Sequence, residues 1–373
     1  MHLYERWGVR RMVNAVGNLT VLGGSVMSPE VVEAMAEASE SFVDLKQFME
    51  IAQRRVAELT GAEAAFISSG AAAGVALATA ACVTGNDPAR AARLPDTSGI
   101  KNEVVIQRRH RNGFDHSIRM VGVKVVEVGL NWYVSPWELE SAINDQTAAV
   151  AYFMWEDARE TLPLEKVVEI AHRHNVPVVV DAAAELPPVE NLGRFNQMGA
   201  DLVVFSGGKE IRGPQTTGLV LGRRDLIEAC ALNSNPNFSL GRPFKVSKEA
   251  LAGLVRALEL YVEKDFDAEM RRWEEVAEYW MDVLGDVPHI RLRMALPSES
   301  PVRPRSCPRV RIELDEEALG MTKVQVVEAL REGEPSVAVD GQCYGSINLS
   351  PQVLRDGEEK IVARRIREVL TSE

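Results

Sequence analysis

Seven short, almost wholly apolar runs limit the architectures open to this chain. They fall at 64–67, 104–107, 124–128, 148–153, 176–180, 202–205 and 219–221. Most are rich in β-branched residues and all are too short for an ordinary helix, so each is read as a strand. Segments with helical spacing stand between several of them, at 29–61, 136–144 and 164–174. Strands apolar on both faces, alternating with helices, imply a mostly parallel sheet of the seven-stranded type covered on both sides. Such sheets bind ligands beyond the carboxyl ends of their strands. Residues that follow a run directly are therefore expected to converge in space.

The rest of the sequence sets the frame. Ser28 is read as an N-cap and Pro29 as the first helical residue, with a break near Asp44. The polar stretch 87–101 is read as a surface loop. After Ile227 the pattern changes: a turn-rich stretch at 233–241, a long helical region at 247–284, then mixed strands at 310–314, 337–339 and 347–349 with helices near 322–332 and 357–370. The expected organisation is a large α/β domain over residues 1–240, with an N-terminal arm, and a smaller α+β domain over 241–373. A chain of 373 residues with 46% hydrophobic and 26% charged residues can bury its core without staples. Its four cysteines, Cys82, Cys230, Cys307 and Cys343, are scattered with no C-x-x-C, so a reducing cytoplasm is expected. Met1–Arg11 has no signal-peptide core, and no run reaches the roughly 18 apolar residues of a membrane span. The net charge of −12 argues against broad contact with nucleic acid or an anionic membrane.

Four segments carry the chemistry. In 200–222 (ADLVVFSGGKEIRGPQTTGLVLG) a strand delivers Ser206-Gly-Gly-Lys209 at its end, and a second strand begins soon after. A glycine pair allows close backbone approach, and a lysine fixed there can form an imine with a carbonyl cofactor. In VPVVVDAAAELPP a buried strand ends in Asp181, whose carboxylate can pair with a protonated pyridine nitrogen; the alanines after it, Ala183 among them, leave room for a flat ring. In SSGAAAG the turn Ser69-Gly70-Ala71-Ala72 opens a small-residue helix, and the N–H groups of such a turn can take a phosphate. In VVIQRRHRNGFDH, His110 follows a strand and can stack on a ring and handle protons near neutral pH, with His116 as its competitor. Each feature alone has an ordinary structural reading: a solvated lysine, a capping aspartate, a tightly packed helix, a core histidine. His172 and His174 are two apart on a helix, face different ways, and are poor joint metal ligands; no metal is expected.

The order of these features resembles the fold-type-I pyridoxal-phosphate (PLP) enzymes. VNAVGNLTVLGGS, LTGAEAAFISSGAAAG and FSGGKEIRGPQTTGLVLGRRDLI are similar to bacterial selenocysteine synthase (seryl-tRNA selenium transferase) and its relatives. DAAAELPP and GRPFKVSKE resemble more closely the D-glucosaminate-6-phosphate ammonia-lyase branch. The resemblance implies the cofactor pyridoxal 5'-phosphate, with Lys209 as its Schiff-base lysine and Asp181 as the pyridinium partner. Ser206 and the 69–72 turn would form the phosphate cup. It also implies at least a homodimer with shared active sites.

Two departures weigh against a tRNA substrate: the N-terminal region that those synthases use for tRNA is not expected here, and the chain is acidic. Where they tend to read Lys-x-Leu-Gly-Gly-Pro-Gln, this sequence reads Lys209-Glu-Ile-Arg-Gly-Pro-Gln215, adding the cation of Arg212. Arg212, Arg242 and Lys245 are candidate substrate contacts. Arg303, Arg305, Arg309 and Arg311 are candidates for a carboxylate clamp, and Trp155 and Glu156 for contact with the cofactor's phenolic oxygen. The expected activity is a lyase that eliminates ammonia from an amino acid or amino-sugar acid to leave a keto acid. The alternatives are a PLP-dependent racemase or epimerase, and a selenium or sulfur transferase on an aminoacyl-tRNA.

Overall fold

The computed structural model describes residues 2–154, 161–295, 307–342 and 345–371. Trp155, Glu156, Arg303, Arg305 and Cys343 lie outside the described residues. The strands are β1 Met12–Asn14, β2 Ala64–Ser68, β3 Glu103–Gln107, β4 Lys124–Val128, β5 Thr147–Phe153, β6 Val178–Asp181, β7 Leu202–Ser206, β8 Gly218–Gly222, β9 Ile290–Ala295, β10 Arg309–Leu314, β11 Ser336–Ala338 and β12 Ser346–Leu349. The chain forms two compact units, one of residues 27–264 and one of 1–26 with 265–373.

The first unit holds a seven-stranded sheet in the order β2-β8-β7-β6-β5-β3-β4. The pairs from β7 across to β4 are all parallel. β8 runs antiparallel to both its neighbours, β7 and β2. The reason is chain length: residues 207–217 alone join β7 to β8, fewer than a parallel crossover requires, so β8 returns directly. Helix Ala71–Thr84 is buried along nearly its whole length. Its small residues let it lie close to the sheet: a Cβ on Gly74 would come 2.8 Å from Val204 Cγ1. Phe66, Leu77, Ile106, Leu202 and Val220 belong to the core between them.

Helices Pro29–Ser39 and Leu45–Thr60 flank the expected break, where the Asp44 side chain accepts from Gln47 N at 3.1 Å. Helix Lys248–Val262 packs against both of them. For that reason residues 241–264 group with the larger unit, past the boundary expected at 240/241. The expected loop 87–101 contains a short helix, Pro88–Arg93. Asp87 Oδ1 caps it, accepting from Ala89 N at 2.8 Å and Arg90 N at 3.2 Å, and proline opens it.

In the second unit, β1 pairs in parallel with β11, Val13 opposite Val337, which ties the N-terminal residues to this unit. β12, β10 and β9 form a three-stranded antiparallel sheet. Trp280, Ile312, Ile347 and Ile366 are among its fully buried residues. The long helical region breaks before Phe266, where Asp265 caps helix Phe266–Val283 through Ala268 N at 2.9 Å. Among the described residues, no helix is long and apolar enough to cross a membrane.

Candidate active site

The ladders bring the sequence candidates of the first unit to one edge of the large sheet. Gly218 stands opposite both Ser68 and Ser206. Asp181 stands opposite Val204 on one side and Phe153 on the other. The carboxyl ends of β2, β7, β6 and β5 therefore share an edge with the start of β8, and β3 ends there with Gln107.

At one end of this edge is the turn before helix Ala71–Thr84. Gly70 has φ 106° and ψ 161°, a conformation that residues with a Cβ rarely adopt. No side chain caps the helix, so the N–H groups of its first turn have no intrahelical acceptor. Ser69, Gly70 and Ala71 are half-buried and Ala72 is exposed. Gly218 lets β8 press against this turn: a Cβ there would come 2.6 Å from Gly70 C and 2.8 Å from Ala71 N.

Next in the sheet is the loop that carries Lys209. Ser206 ends β7, and Gly207 N donates to Thr217 O at 2.9 Å. Gly213 N donates to Gly207 O and Arg212 N to Lys209 O, both at 2.9 Å. Lys209 is thus half-buried in a short closed loop. Arg212 is half-buried and has φ 57°, a left-handed conformation that costs a side-chain-bearing residue roughly 1–2 kcal/mol.

Asp181 closes β6. Its Oδ1 accepts from Ala183 N at 3.0 Å. Burial raises its carboxyl from 3.8 to about 6, against the pull of the Ala183 N–H and the Lys209 cation; Glu185, itself 2% exposed, adds to the rise. A carboxylate so placed favours a cation against it.

His110 follows β3 and is fully buried, with neither ring nitrogen hydrogen-bonded. Burial lowers its pKa to about 4, so the ring is neutral at pH 7 and, contrary to the expectation from sequence, is not poised to exchange a proton near neutral pH. The ring stands edge-on to Tyr152, centroids 4.5 Å apart at 79°. Its competitor His116 is exposed. The arginines around His110 serve the fold in part: Arg111 and Arg119 both pair with buried Asp115, and Arg108 and Arg111 with Glu127.

Other candidates go elsewhere. Arg242 lies with its guanidinium 5.7 Å from the Phe238 ring centroid, and Lys245 is exposed. Their loop is tied to the middle and far end of helix Ala71–Thr84, through Gly241 against Leu77 and Asn233 Nδ2 donating to Thr84 Oγ1 at 2.8 Å. The described contacts do not bring it to the first turn. Arg309 and Arg311 belong to β10 of the second unit, where Arg311 Nε donates to Asn348 Oδ1 at 3.2 Å. His172 faces Asp201 at 2.8 Å and His174 faces Glu140 at 3.5 Å. No group of three or more possible metal ligands occurs among the described residues. Sequence reasoning missed Gln107 and Tyr152, both buried, with Tyr152 against His110; the one signal was a polar group at or next to the end of each apolar strand, in VVIQ and AVAYF.

The sequence profile of the SelA family, described as L-seryl-tRNA selenium transferase, matches residues 12–272. The chain belongs to this family. Similarity to two differently named relatives extends over nearly the full length of the chain. D-glucosaminate-6-phosphate ammonia lyase of Salmonella typhimurium is 34% identical, over 99% of this chain and 98% of that protein. 5'-C-glycyluridine monooxygenase-decarboxylase of a Streptomyces species is 35% identical, over 98% and 92%. The L-seryl-tRNA(Sec) selenium transferase of Aquifex aeolicus is 28% identical, over 69% of this chain and 60% of its own. Among solved structures, D-glucosaminate-6-phosphate ammonia-lyase superposes with a TM-score of 0.85 at 33% identity, over 99% of this chain and 98% of that one. A NifS-like protein shares the fold at a TM-score of 0.61 and 18% identity, covering 97% of this chain and 100% of its own. The SelA-family chain thus has the fold of the fold-type-I PLP enzymes.

Proposed function

We propose that this SelA-family protein is a PLP-dependent carbon–nitrogen lyase acting on an amino acid or amino-sugar acid. The observation that carries the reading is the meeting, on one sheet edge, of Lys209, Asp181, Ser206 and the uncapped turn 69–72, in a chain that matches an ammonia lyase over its full length.

The residues present fit the cofactor. Asp181 is poorly stabilised as a buried anion, and a pyridinium nitrogen is the cation it lacks. His110 offers a neutral ring with both nitrogens unpartnered. The uncapped helix turn and Ser206 suit a phosphate, and glycine at 218 keeps that cradle clear. Lys209, Asp181 and His110 are the proposed catalytic residues. Ser69, Gly70, Ala71, Ala72, Ala183 and Ser206 complete the cofactor site. When bound, the cofactor supplies a carbonyl carbon for Lys209 and an electron sink for charge developing at the substrate's Cα.

The chain's own residues do the rest. Lys209 Nζ takes the Cα proton as general base. Asp181 would hold the ring nitrogen, where its carboxylate would favour the protonated form. His110, neutral, would offer its ring as a packing surface for the cofactor. Arg212 presents a planar fork to an anionic group of the substrate; Arg242 and Lys245 are substrate contacts by resemblance alone. A β-hydroxyl or comparable group leaves, and hydrolysis of the released product yields keto acid and ammonia. We place the protein in the cytoplasm as a homodimer or higher oligomer with shared sites.

The test is to give purified holo-protein D-glucosaminate-6-phosphate and simpler β-hydroxy amino acids. Ammonia and keto acid in equal amounts support the proposal; neither from any substrate overturns it. Exchange of the Cα hydrogen with solvent deuterium, without keto acid, would instead mark a racemase. A second reading, favoured by the full-length match to a monooxygenase-decarboxylase, is oxygen-dependent decarboxylation; substrate-dependent oxygen uptake with release of carbon dioxide would establish it.

A further inference from the structure

Beside the proposed cofactor site lies a buried polar network outside the chemistry described above. Gln107 closes β3 and is 1% exposed; Tyr152, in the adjacent strand β5, is 4% exposed. The Gln107 side-chain amide pairs with both polar atoms of one residue's backbone: its Oε1 accepts from Leu162 N at 2.7 Å and its Nε2 donates to Leu162 O at 3.3 Å. The Tyr152 hydroxyl donates to the same carbonyl at 3.3 Å. Buried polar groups satisfied in this way are rigid, because breaking any one strands another away from water. The Tyr152 ring meets His110 edge-on, while no hydrogen bond reaches the imidazole itself. The orientation of His110 is therefore set by packing, and Tyr152 is its aromatic neighbour.

We propose that Tyr152 and Gln107 are positioning residues: Gln107 and the Tyr152 hydroxyl grip the Leu162 backbone, and the Tyr152 ring so fixed sets the plane of His110 against the cofactor. The inference rests on the reading that PLP binds here. Burial holds the Tyr152 phenol near 12 and His110 near 4, so neither changes charge between pH 6 and 9 and the effect is independent of pH across that range.

Three holo-variants test it, read by visible circular dichroism of the bound cofactor, by kcat and KM separately, and by melting of the apo-protein. Tyr152→Leu removes ring and hydroxyl; it is expected to alter the visible dichroic band and lower kcat by about tenfold at little changed KM. Tyr152→Phe keeps the ring but releases the hydroxyl's hold on Leu162, and is expected to give a band and kcat between those of wild type and Tyr152→Leu. Gln107→Leu frees the Leu162 backbone and is expected to shift the band in the direction of Tyr152→Leu. An unchanged band and kcat in Tyr152→Leu, or Tyr152→Phe as impaired as Tyr152→Leu, overturns the proposal. Should Tyr152→Leu not fold, Gln107→Leu decides, and an unchanged band there overturns it. A wild-type protein with no visible band would instead refute PLP binding itself.

Discussion

Gly218→Ala tests how the sheet builds the phosphate cradle. Gly218 starts β8, opposite Ser68 and Ser206, and no left-handed φ is required of it, so alanine suits its backbone. The obstacle is space. The added Cβ would come 2.6 Å from Gly70 C, 2.8 Å from Ala71 N and 2.8 Å from Ser68 Oγ, where ordinary contact begins at 3.4 Å. The nearest atoms are backbone, so relief requires the turn to retreat by about 0.8 Å or β8 to shift by a similar amount. Overpacking of this kind costs about 1–3 kcal/mol of stability. A retreat of that size also spoils hydrogen bonds from the turn to a phosphate. At about 1.5–3 kcal/mol for each bond to a charged group, losing one weakens cofactor binding roughly tenfold to a hundredfold. The assay is titration of apo-protein with PLP, followed by absorbance, alongside thermal melts. Gly113→Ala, where a Cβ meets nothing within 4 Å, is the control. Wild-type affinity in folded Gly218→Ala would refute the claim that this turn holds the phosphate.

Further outcomes follow from the same geometry. In apo-protein, Asp181 near 6 and His110 near 4 oppose each other: the carboxyl's raised pKa favours the fold below about pH 4 and that stability is lost as pH rises to 6, whereas the imidazole's depressed pKa favours the fold above 6.5 and that stability is lost as pH falls to 4. Each amounts to roughly 3 kcal/mol, so denaturant melts of Asp181→Asn should gain stability from pH 4 to 6.5, and those of His110→Phe should lose it; parallel slopes would contradict both assignments. Asp201, at the opposite edge of the sheet, accepts from Val178 N at 2.7 Å and Arg223 Nη1 at 2.8 Å and faces His172. Asp201→Ala leaves the buried Val178 N–H without its acceptor while Arg223 and His172 stay solvated, and should cost about 1–3 kcal/mol in urea melts while leaving the cofactor spectrum unchanged. Arg212→Gly should keep or raise the melting temperature, since glycine adopts its left-handed backbone freely, yet raise KM for anionic substrates at least tenfold. Unchanged KM removes Arg212 from the substrate site.

Much of the large unit was legible because most of its strands are apolar on both faces; the edge strand β4, with exposed Lys124 and Glu127, is the exception. The runs ending at Ile67, Gln107, Val128, Phe153, Val180, Phe205 and Leu221 each recur as a strand, to within a residue or two. Lys209 and Asp181 were visible as polar residues just past such runs. What the runs could not reveal was strand order and direction, which here depend on the shortness of 207–217. β9 was missed although Ile290-Arg-Leu-Arg-Met294 alternates apolar and charged residues, because turn-like and helical signals surround it. The helix Pro88–Arg93 was hidden by its polarity, its start marked only by Asp87 before Pro88. Residues 1–26 join the second unit by a pairing between β1 and β11 that no local pattern announces. The Gln107–Leu162 contact, likewise, is a long-range meeting that each residue's own neighbourhood conceals.

Lys209 is the residue proposed to bind the cofactor covalently. The direct measurement is borohydride reduction of the holo-protein, then digestion and mass spectrometry. One phosphopyridoxyl mass is expected on the peptide containing Lys209, and its loss in Lys209→Ala together with turnover. A label on another lysine, no label at all, or full turnover by Lys209→Ala would contradict that assignment.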